Sequence, residues 1–152
     1  KELDQIGIDV TKLNAKILYF ALRDIGAKLY PKKGRITIAF GLKPGHSTDY
    51  VATKLAIENG VKELVNLTNV DYVYDRDPRK CKEAKPIKRL AWKEFFKLIP
   101  KSWRPGLFSP FDPVAAKLAS RHKLKVIVMN GQKLKNLERY LQGKKFNGTV
   151  IS

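Results

Sequence analysis

The sequence predicts an α/β fold with a mainly parallel sheet flanked by helices on both faces. Helical and strand-like periodicities alternate along the chain, and a strand, a glycine-bearing loop, a helix and a second strand follow one another within about 30 residues, the mark of a βαβ unit. Its 152 residues suffice for one ordinary domain with a buried core.

From about Ile8 to Leu29, Val10, Leu13, Ile17, Phe20, Ala21 and Ile25 recur with a helical period and charges between them, predicting a long amphipathic helix closed by Pro31 and Gly34. RITIAF (35–40) is a short β-rich run, and GLKPGHSTD (41–49) is a loop by its glycines and proline. Val51, Ala52, Leu55 and Ala56 then predict a helix that stops at Gly60, followed by VKELVNL (61–67) as a strand parallel to the first, with its site at the carboxyl end. Beyond an acidic loop come strand-like KPIKRL (85–90), a helix from about Ala91 to Ile99 and the Pro/Gly-rich loop KSWRPGLFSPF (101–111). Asp112 is placed as an N-cap with Pro113 at the first helical position; KVIVMN (125–130) is a strand, Lys133–Leu141 a helix and GTVIS (148–152) a closing strand.

Thirty-one Lys and Arg against fourteen acids give a formal charge of +17, which points to anionic partners such as nucleotides or nucleic acid. One cysteine, Cys81, cannot form an internal disulfide, so the default compartment is cytoplasmic, and no apolar run approaches the roughly 20 residues that span a bilayer. The chain begins at Lys1 with a helical pattern already running, so a fragment whose beginning is missing is expected. Between Arg79 and Arg104 ten basic residues surround Trp92, Phe95, Phe96 and Trp103; the plainer account is a solvated basic face with its aromatics in the core, the sharper one an RNA-binding surface.

Two segments could carry chemistry. In KPGHSTD (43–49), Gly45 permits close backbone approach, and Ser47 and Thr48 offer hydroxyls where the first N–H groups of the following helix point outward. That suits a phosphate cradle and equally suits simple capping; no Walker A pattern occurs in the chain. Asp49 is favoured by the helix dipole, or orients cations around a transferring phosphoryl group. In LTNVDYVYDRDPRK (67–80), Thr68 and Asn69 offer hydrogen bonds, Tyr74 a flat ring, and Asp71, Asp75 and Asp77 charge, although each also has a turn-forming explanation. His46 fits a loop residue and His122 a helix end; two histidines and one cysteine argue against a zinc site, and no metal ligand is assigned.

The order of motifs carries a resemblance across essentially the whole chain: D-x-x-G-I at 4–8, T-x-x-N-A at 11–15, P-G-H-S-T-D at 44–49, L-T-N-V-D-x-V-Y-D-x-D-P at 67–78, A-K-x-I at 84–87, D-P-x-A-A-K at 112–117 and N-G-T at 147–149. In this it resembles the amino-acid kinase superfamily, in its uridylate (UMP) kinase branch. The resemblance implies a three-layer sandwich forming a single domain over 1–152, with acceptor-site elements in about 1–60 and a nucleotide-binding part in about 61–152. It implies Mg²⁺-dependent transfer of the ATP γ-phosphoryl group to UMP in a homohexamer. On this sequence Asp4, Gly7, Ser47 and Thr48 take the UMP-binding positions, Asp49 the catalytic one, and Thr68, Asn69, Val70, Asp71, Tyr74 and Asp77 those around ATP.

The family's N-terminal glycine loop, lysine and arginine are not in this chain, so the chain alone is expected to be inactive. Tyr72 stands where the family has glycine, and AFGLKPG (39–45) where it has a G-G-T-like strand end. A kinase for another phosphorylated small molecule such as isopentenyl phosphate, a non-catalytic oxyanion-storage relative and a basic RNA-binding module are the alternatives.

Overall fold

The structure is a computed structural model and describes residues 2–99 and 109–152. Its chain divides into two compact units, residues 1–52 and 53–152. Lys101, Trp103, Arg104 and most of the Pro/Gly-rich loop lie outside the described residues.

In the first unit helix α1 (Glu2–Leu22) continues into a short 3-10 turn, Arg23–Ile25. Gly26 ends it at φ 90°, a left-handed conformation open to glycine, with its N–H donating to Arg23 O at 3.0 Å. This corrects the expected helix boundaries of 8 and 29. The helix starts earlier, with Glu2 and Asp4 in its first turn where the dipole favours acids, and residues Ala27–Leu29 are strand β1. Strand β2 (Ile36–Ile38) pairs with β1 in parallel, Ala27 opposite Ile36.

The orientation of α1 follows from what these strands need to cover. Ala15 is buried against Ala27 and Ile38, with Tyr19, Leu22, Leu29, Ile36 and Phe40 packed around them. The apolar stripe read from the sequence lies elsewhere on the helix: Val10, Leu13, Ile17 and Phe20 are 52–62% exposed. An amphipathic helix normally turns such a stripe into a core; here the core takes the small residue at 15 and leaves the stripe outside.

Helix α2 (Thr48–Glu58) follows the loop after β2. Gly60 stands just beyond it at φ 67°, as a helix stop requires. Among the described residues β2 pairs with β1, and strand β3 (Glu63–Thr68) pairs with β7 (Lys125–Asn130). The strands before and after α2 in the sequence thus belong to two different parallel ladders rather than to one βαβ pair.

The second unit is built on a four-stranded sheet in the order β3-β7-β8-β6, with β6 at Arg89–Leu90 and β8 at Thr149–Ile151. β3–β7 and β6–β8 are parallel and β7–β8 antiparallel. Val126 to Met129 are all fully buried, so both faces of β7 are covered, as its unbroken apolar run requires. Each such side chain contributes about 1.5–3 kcal/mol by leaving water. Helix α3 (Trp92–Leu98) adds Trp92 and Phe95 to the core, and α4 (Pro113–Arg121) adds Ala115, Ala116 and Ala119. Asp112 caps α4 as its position predicts, accepting from Ala115 N–H at 3.2 Å and from Val114 N–H at 2.5 Å. Helix α5 spans Leu134–Leu141.

KPIKRL is divided between two sheets: β5 (Pro86–Ile87) pairs antiparallel with β4 (Val73–Tyr74), and β6 joins β8. β4 lies inside the segment read as a loop. Thr149 links these pieces: its buried hydroxyl accepts from Val73 N–H at 2.8 Å and donates to Ile87 O. Gly148 before it has no room for a side chain, since a Cβ would sit 2.8 Å from Val128 O. The N-G-T motif is thus in large part a packing motif.

Candidate active site

The donor-side candidates follow β3. β3 and β7 end in register, Thr68 opposite Asn130, so the segments leaving both strands emerge at one carboxyl edge, where α/β proteins gather ligands. Gly131 N–H donates to Thr68 O at 2.8 Å, and Val70 N–H to Thr68 Oγ1 at 2.9 Å, so Thr68 folds the chain back at the strand end. Asn69 is exposed, while Val70, Asp71, Tyr72 and Tyr74 are half-buried.

Asp71 makes a contact that sequence reading missed: Lys133 Nζ donates to its Oδ2 at 2.7 Å. These residues are 62 positions apart, and only the shared edge of β3 and β7 brings them together. The other carboxylate oxygen, Oδ1, is buried without a hydrogen-bond partner. A carboxylate oxygen in that state is costly and accepts readily. Tyr74 has its phenol pushed up by burial and by the nearby Asp71, which keeps it a neutral donor.

Tyr72 replaces the expected glycine without backbone strain. Among the described residues Lys123 is the one non-glycine with positive φ, so the loop does not use a left-handed conformation at 72. The Tyr72 ring packs edge-on against Tyr74, centroids 6.4 Å apart.

The remaining acids of the segment have local partners. Asp75 accepts from Lys85 N–H at 2.8 Å, while its own N–H donates to Lys85 O at 3.1 Å, extending the β4–β5 ribbon. This hydrogen bond and the adjacent Arg76 hold its carboxyl below the usual range. Asp77 accepts from the Arg79 backbone at 3.0 Å and from its guanidinium at 3.2 and 3.1 Å, and these bonds lower its pKa too. Asp77 therefore presents itself joined to a cation.

The acceptor-side candidates belong to the first unit. Ser47 caps α2, its Oγ accepting from Tyr50 N–H at 3.1 Å, which is the plainer of its two expected roles. Thr48 is the first helical residue and exposed; Asp49 is in the first turn and half-buried. The loop before them is tied to α1, because Thr11 Oγ1 donates to Ile8 O at 2.8 Å and accepts from Gly41 N–H at 2.9 Å. Asp4 and Gly7 lie on α1 one turn apart, both exposed, and a Cβ at Gly7 would meet nothing within 4 Å.

Of the four aromatics in the RNA-binding alternative, three lie among the described residues and Trp103 lies outside them. Trp92 and Phe95 are buried, and Phe96 packs with them at centroid distances of 6.1 and 6.4 Å, so these rings are not presented for base stacking. Among the described residues no helix is long and apolar enough to cross a membrane.

Comparison with known proteins places these elements in a wider setting. A uridylate kinase of Methanobrevibacter smithii is 36% identical, the alignment covering 99% of this chain and 72% of the relative. A uridylate kinase of Methanocaldococcus jannaschii is 39% identical, with 97% and 70% covered. The crystal structure of a uridylate kinase from Archaeoglobus fulgidus superposes with a TM-score of 0.80 at 30% identity, covering 98% of this chain and 71% of that one. The sequence pattern of the amino acid kinase family matches residues 2–130, from the first helix to the last residue of β7, so the strand-end loop and the Ser47-capped helix are those of a family member: the chain belongs to the amino acid kinase family.

Proposed function

We propose that this chain carries acceptor and donor elements of a UMP kinase, which transfers the ATP γ-phosphoryl group to UMP and yields UDP and ADP. The carrying observation is the breadth of likeness: relatives named uridylate kinase match 97–99% of the chain at 36–39% identity. A UMP phosphate oxygen forms the new bond to the γ-phosphorus, and the bond from that phosphorus to the β,γ-bridging oxygen breaks as ADP leaves. The attacking oxygen belongs to the substrate, so the protein needs to supply position and charge rather than a nucleophile.

On the acceptor side, Ser47 spends its hydroxyl on the helix cap, which leaves the Thr48 hydroxyl and the first-turn N–H groups of α2 to hold the UMP phosphate. Asp4 and Gly7, exposed on α1, contact the ribose, and Asp49 orders the transfer site. On the donor side, Thr68, Asn69 and Val70 form the turn beside the ATP base and ribose, with Tyr74 as a flat neutral contact. The unpartnered Oδ1 of Asp71 supports a role as acceptor from a nucleotide hydroxyl or from water on a metal ion. ATP meets Asp77 together with its Arg79.

Mg²⁺ fits this donor set in the form in which substrate phosphates and water supply most ligands, since among the described residues no three carboxylate, histidine or cysteine side chains converge. Bound there, the ion would supply charge neutralisation on the phosphates, and the unpartnered Oδ1 of Asp71 would accept from a water on it.

The protein acts as a homo-oligomer, a hexamer by family resemblance. Leu3, Ile6, Val10, Leu13, Ile17 and Phe20 are all exposed and alternate in steps of three and four, the spacing of a helix seam that pairs with a second copy of itself.

The test is an assay of the full-length protein with ATP against UMP, CMP, dTMP and isopentenyl phosphate. UMP should exceed each competitor by about tenfold or more in kcat/KM, a margin within reach of differential binding. Equal rates with CMP, or a preference for isopentenyl phosphate, would remove UMP as the acceptor while leaving phosphoryl transfer in place.

A further inference from the structure

A cavity of about 400 Å³ opens between α5 and the turn that leads into β8, and Lys133, Lys135, Arg139 and Lys145 line it. No carboxylate is among its described lining residues. Its walls are fixed to each other. Asn136 Nδ2 donates to Asn147 O at 2.6 Å, and Asn147 N–H donates back to Asn136 Oδ1 at 2.7 Å. Arg139 Nε donates to Lys145 O at 2.7 Å, which ties the guanidinium to the turn. Phe146 supplies the apolar part of the lining and packs edge-on against Tyr140, centroids 4.9 Å apart.

The electrostatics of this cleft are unbalanced. Lys135 and Arg139 are one turn apart on α5, where like charges oppose each other. Lys133 reaches Asp71; among the described residues Lys135, Arg139 and Lys145 make no salt bridge. A preformed pocket in which three of the four lining cations have no counter-charge is stabilised by an anion.

We propose that this cleft binds an oligophosphate anion, such as the triphosphate tail of a nucleotide, on residues other than those assigned above to ATP and UMP. A lone phosphate carries about two charges, too few to balance the three cations left after Lys133 pairs with Asp71, whereas a chain of three phosphoryl groups spreads about three to four charges over a pocket of this size. Arginine supplies a planar fork for phosphate oxygens and the lysines supply point charges around it. The site is a short open cleft bounded by α5 and the turn into β8 rather than a long stripe, which fits a short anion better than a nucleic-acid backbone.

The test titrates the full-length protein with inorganic tripolyphosphate by calorimetry at about physiological salt. The double variant Lys135→Ala, Lys145→Ala should bind it at least about tenfold more weakly, because two charge-assisted contacts are lost, with KM for ATP unchanged. Arg139→Lys, which keeps the charge and loses the fork, should weaken binding by about threefold. Unchanged affinity in the double variant would overturn the proposal. So would competition by sulfate as effective as that by tripolyphosphate at matched ionic strength, which would mean nonspecific screening. A parallel rise in KM for ATP would place the anion in the donor site instead, and tighter binding of a short single-stranded RNA with the same variant sensitivity would assign the cleft to nucleic acid; either result also overturns it.

Discussion

Lys133 Nζ lies 2.7 Å from Asp71 Oδ2, joining the start of α5 to the loop that leaves β3. Lys133 is about half exposed and Asp71 one-third, so solvent screens the pair and its worth is about 0.5–1 kcal/mol. Lys133→Met should therefore raise KM for ATP about two- to fivefold with little change in kcat, because it loosens the loop without touching the acceptor. Asp71→Asn should do at least as much. In a double-mutant cycle the two should couple; strict additivity would mean that the ion pair is incidental to the donor loop.

Thr48 and Asp49 are adjacent in the first turn of α2 yet should separate in steady-state kinetics. Thr48→Ala removes a hydroxyl used in binding and should raise KM for UMP by about tenfold, since one hydrogen bond to a charged phosphate is lost. Asp49→Asn should lower kcat and leave KM for UMP nearly unchanged. An unaltered kcat would reduce Asp49 to a helix-dipole partner.

Thr149 is fully buried and serves three strands with one hydroxyl. Thr149→Val keeps the shape but leaves Val73 N–H and Ile87 O without that partner, at a cost of about 1–3 kcal/mol. Thr149→Ser keeps both bonds and loses one methyl, about 0.8 kcal/mol. Urea unfolding should rank parent, serine and valine in that order. A serine variant less stable than the valine variant would show that the methyl, not the hydroxyl, matters.

These cases mark where the sequence was legible. β7 and the Asp112 cap with Pro113 were readable because their signals are local: an unbroken apolar run, and a side chain reaching N–H groups two and three residues away. The end of α1 is not legible in the sequence because Ile25 and Leu29 continue the helical spacing, while Gly26 in its left-handed conformation breaks the helix and the alternation of buried Ala27 with exposed Lys28 is a strand's. Strand partners were hidden for another reason. β3 pairs with a strand more than fifty residues away, and no local feature of VKELVNL names KVIVMN as its neighbour. In the site, the turn at Thr68 was visible as residue chemistry, whereas the Asp71–Lys133 pair exists only once β3 and β7 share an edge. Asp75, taken singly as a turn residue, became part of a ribbon for the same reason.

The exposed stripe of α1 gives a prediction about assembly. Leu13 and Ile17 are 59% and 61% exposed. Covering such side chains with a second copy yields about 1.5–3 kcal/mol each. Leu13→Lys with Ile17→Lys should therefore lower the mass seen in sedimentation equilibrium while far-UV circular dichroism stays the same, because neither side chain belongs to the core around Ala15. An unchanged mass would show that subunits meet elsewhere.

Tyr140 Oη donates to Glu63 Oε2 at 2.6 Å, and Lys125 donates to the same carboxylate. Burial first, then Glu63, pushes the Tyr140 phenol up to about 12 from its ordinary 10.0. Lys125 first, then Tyr140, holds Glu63 below its ordinary 4.5. The signs bracket a pH window. The tyrosine's contribution to stability is complete below pH 10 and is lost as pH rises through about 12, because the folded state retains a proton that the unfolded state has given up. The glutamate's contribution is complete above its unfolded value and is lost as pH falls through its lowered folded value. Tyr140→Phe should delete the phenol that titrates near 12 in ultraviolet absorbance. Glu63→Gln should move that titration down yet leave it above 10, because burial, the larger cause, remains. A tyrosine that falls fully to its ordinary value in Glu63→Gln would make the carboxylate, rather than burial, the dominant cause.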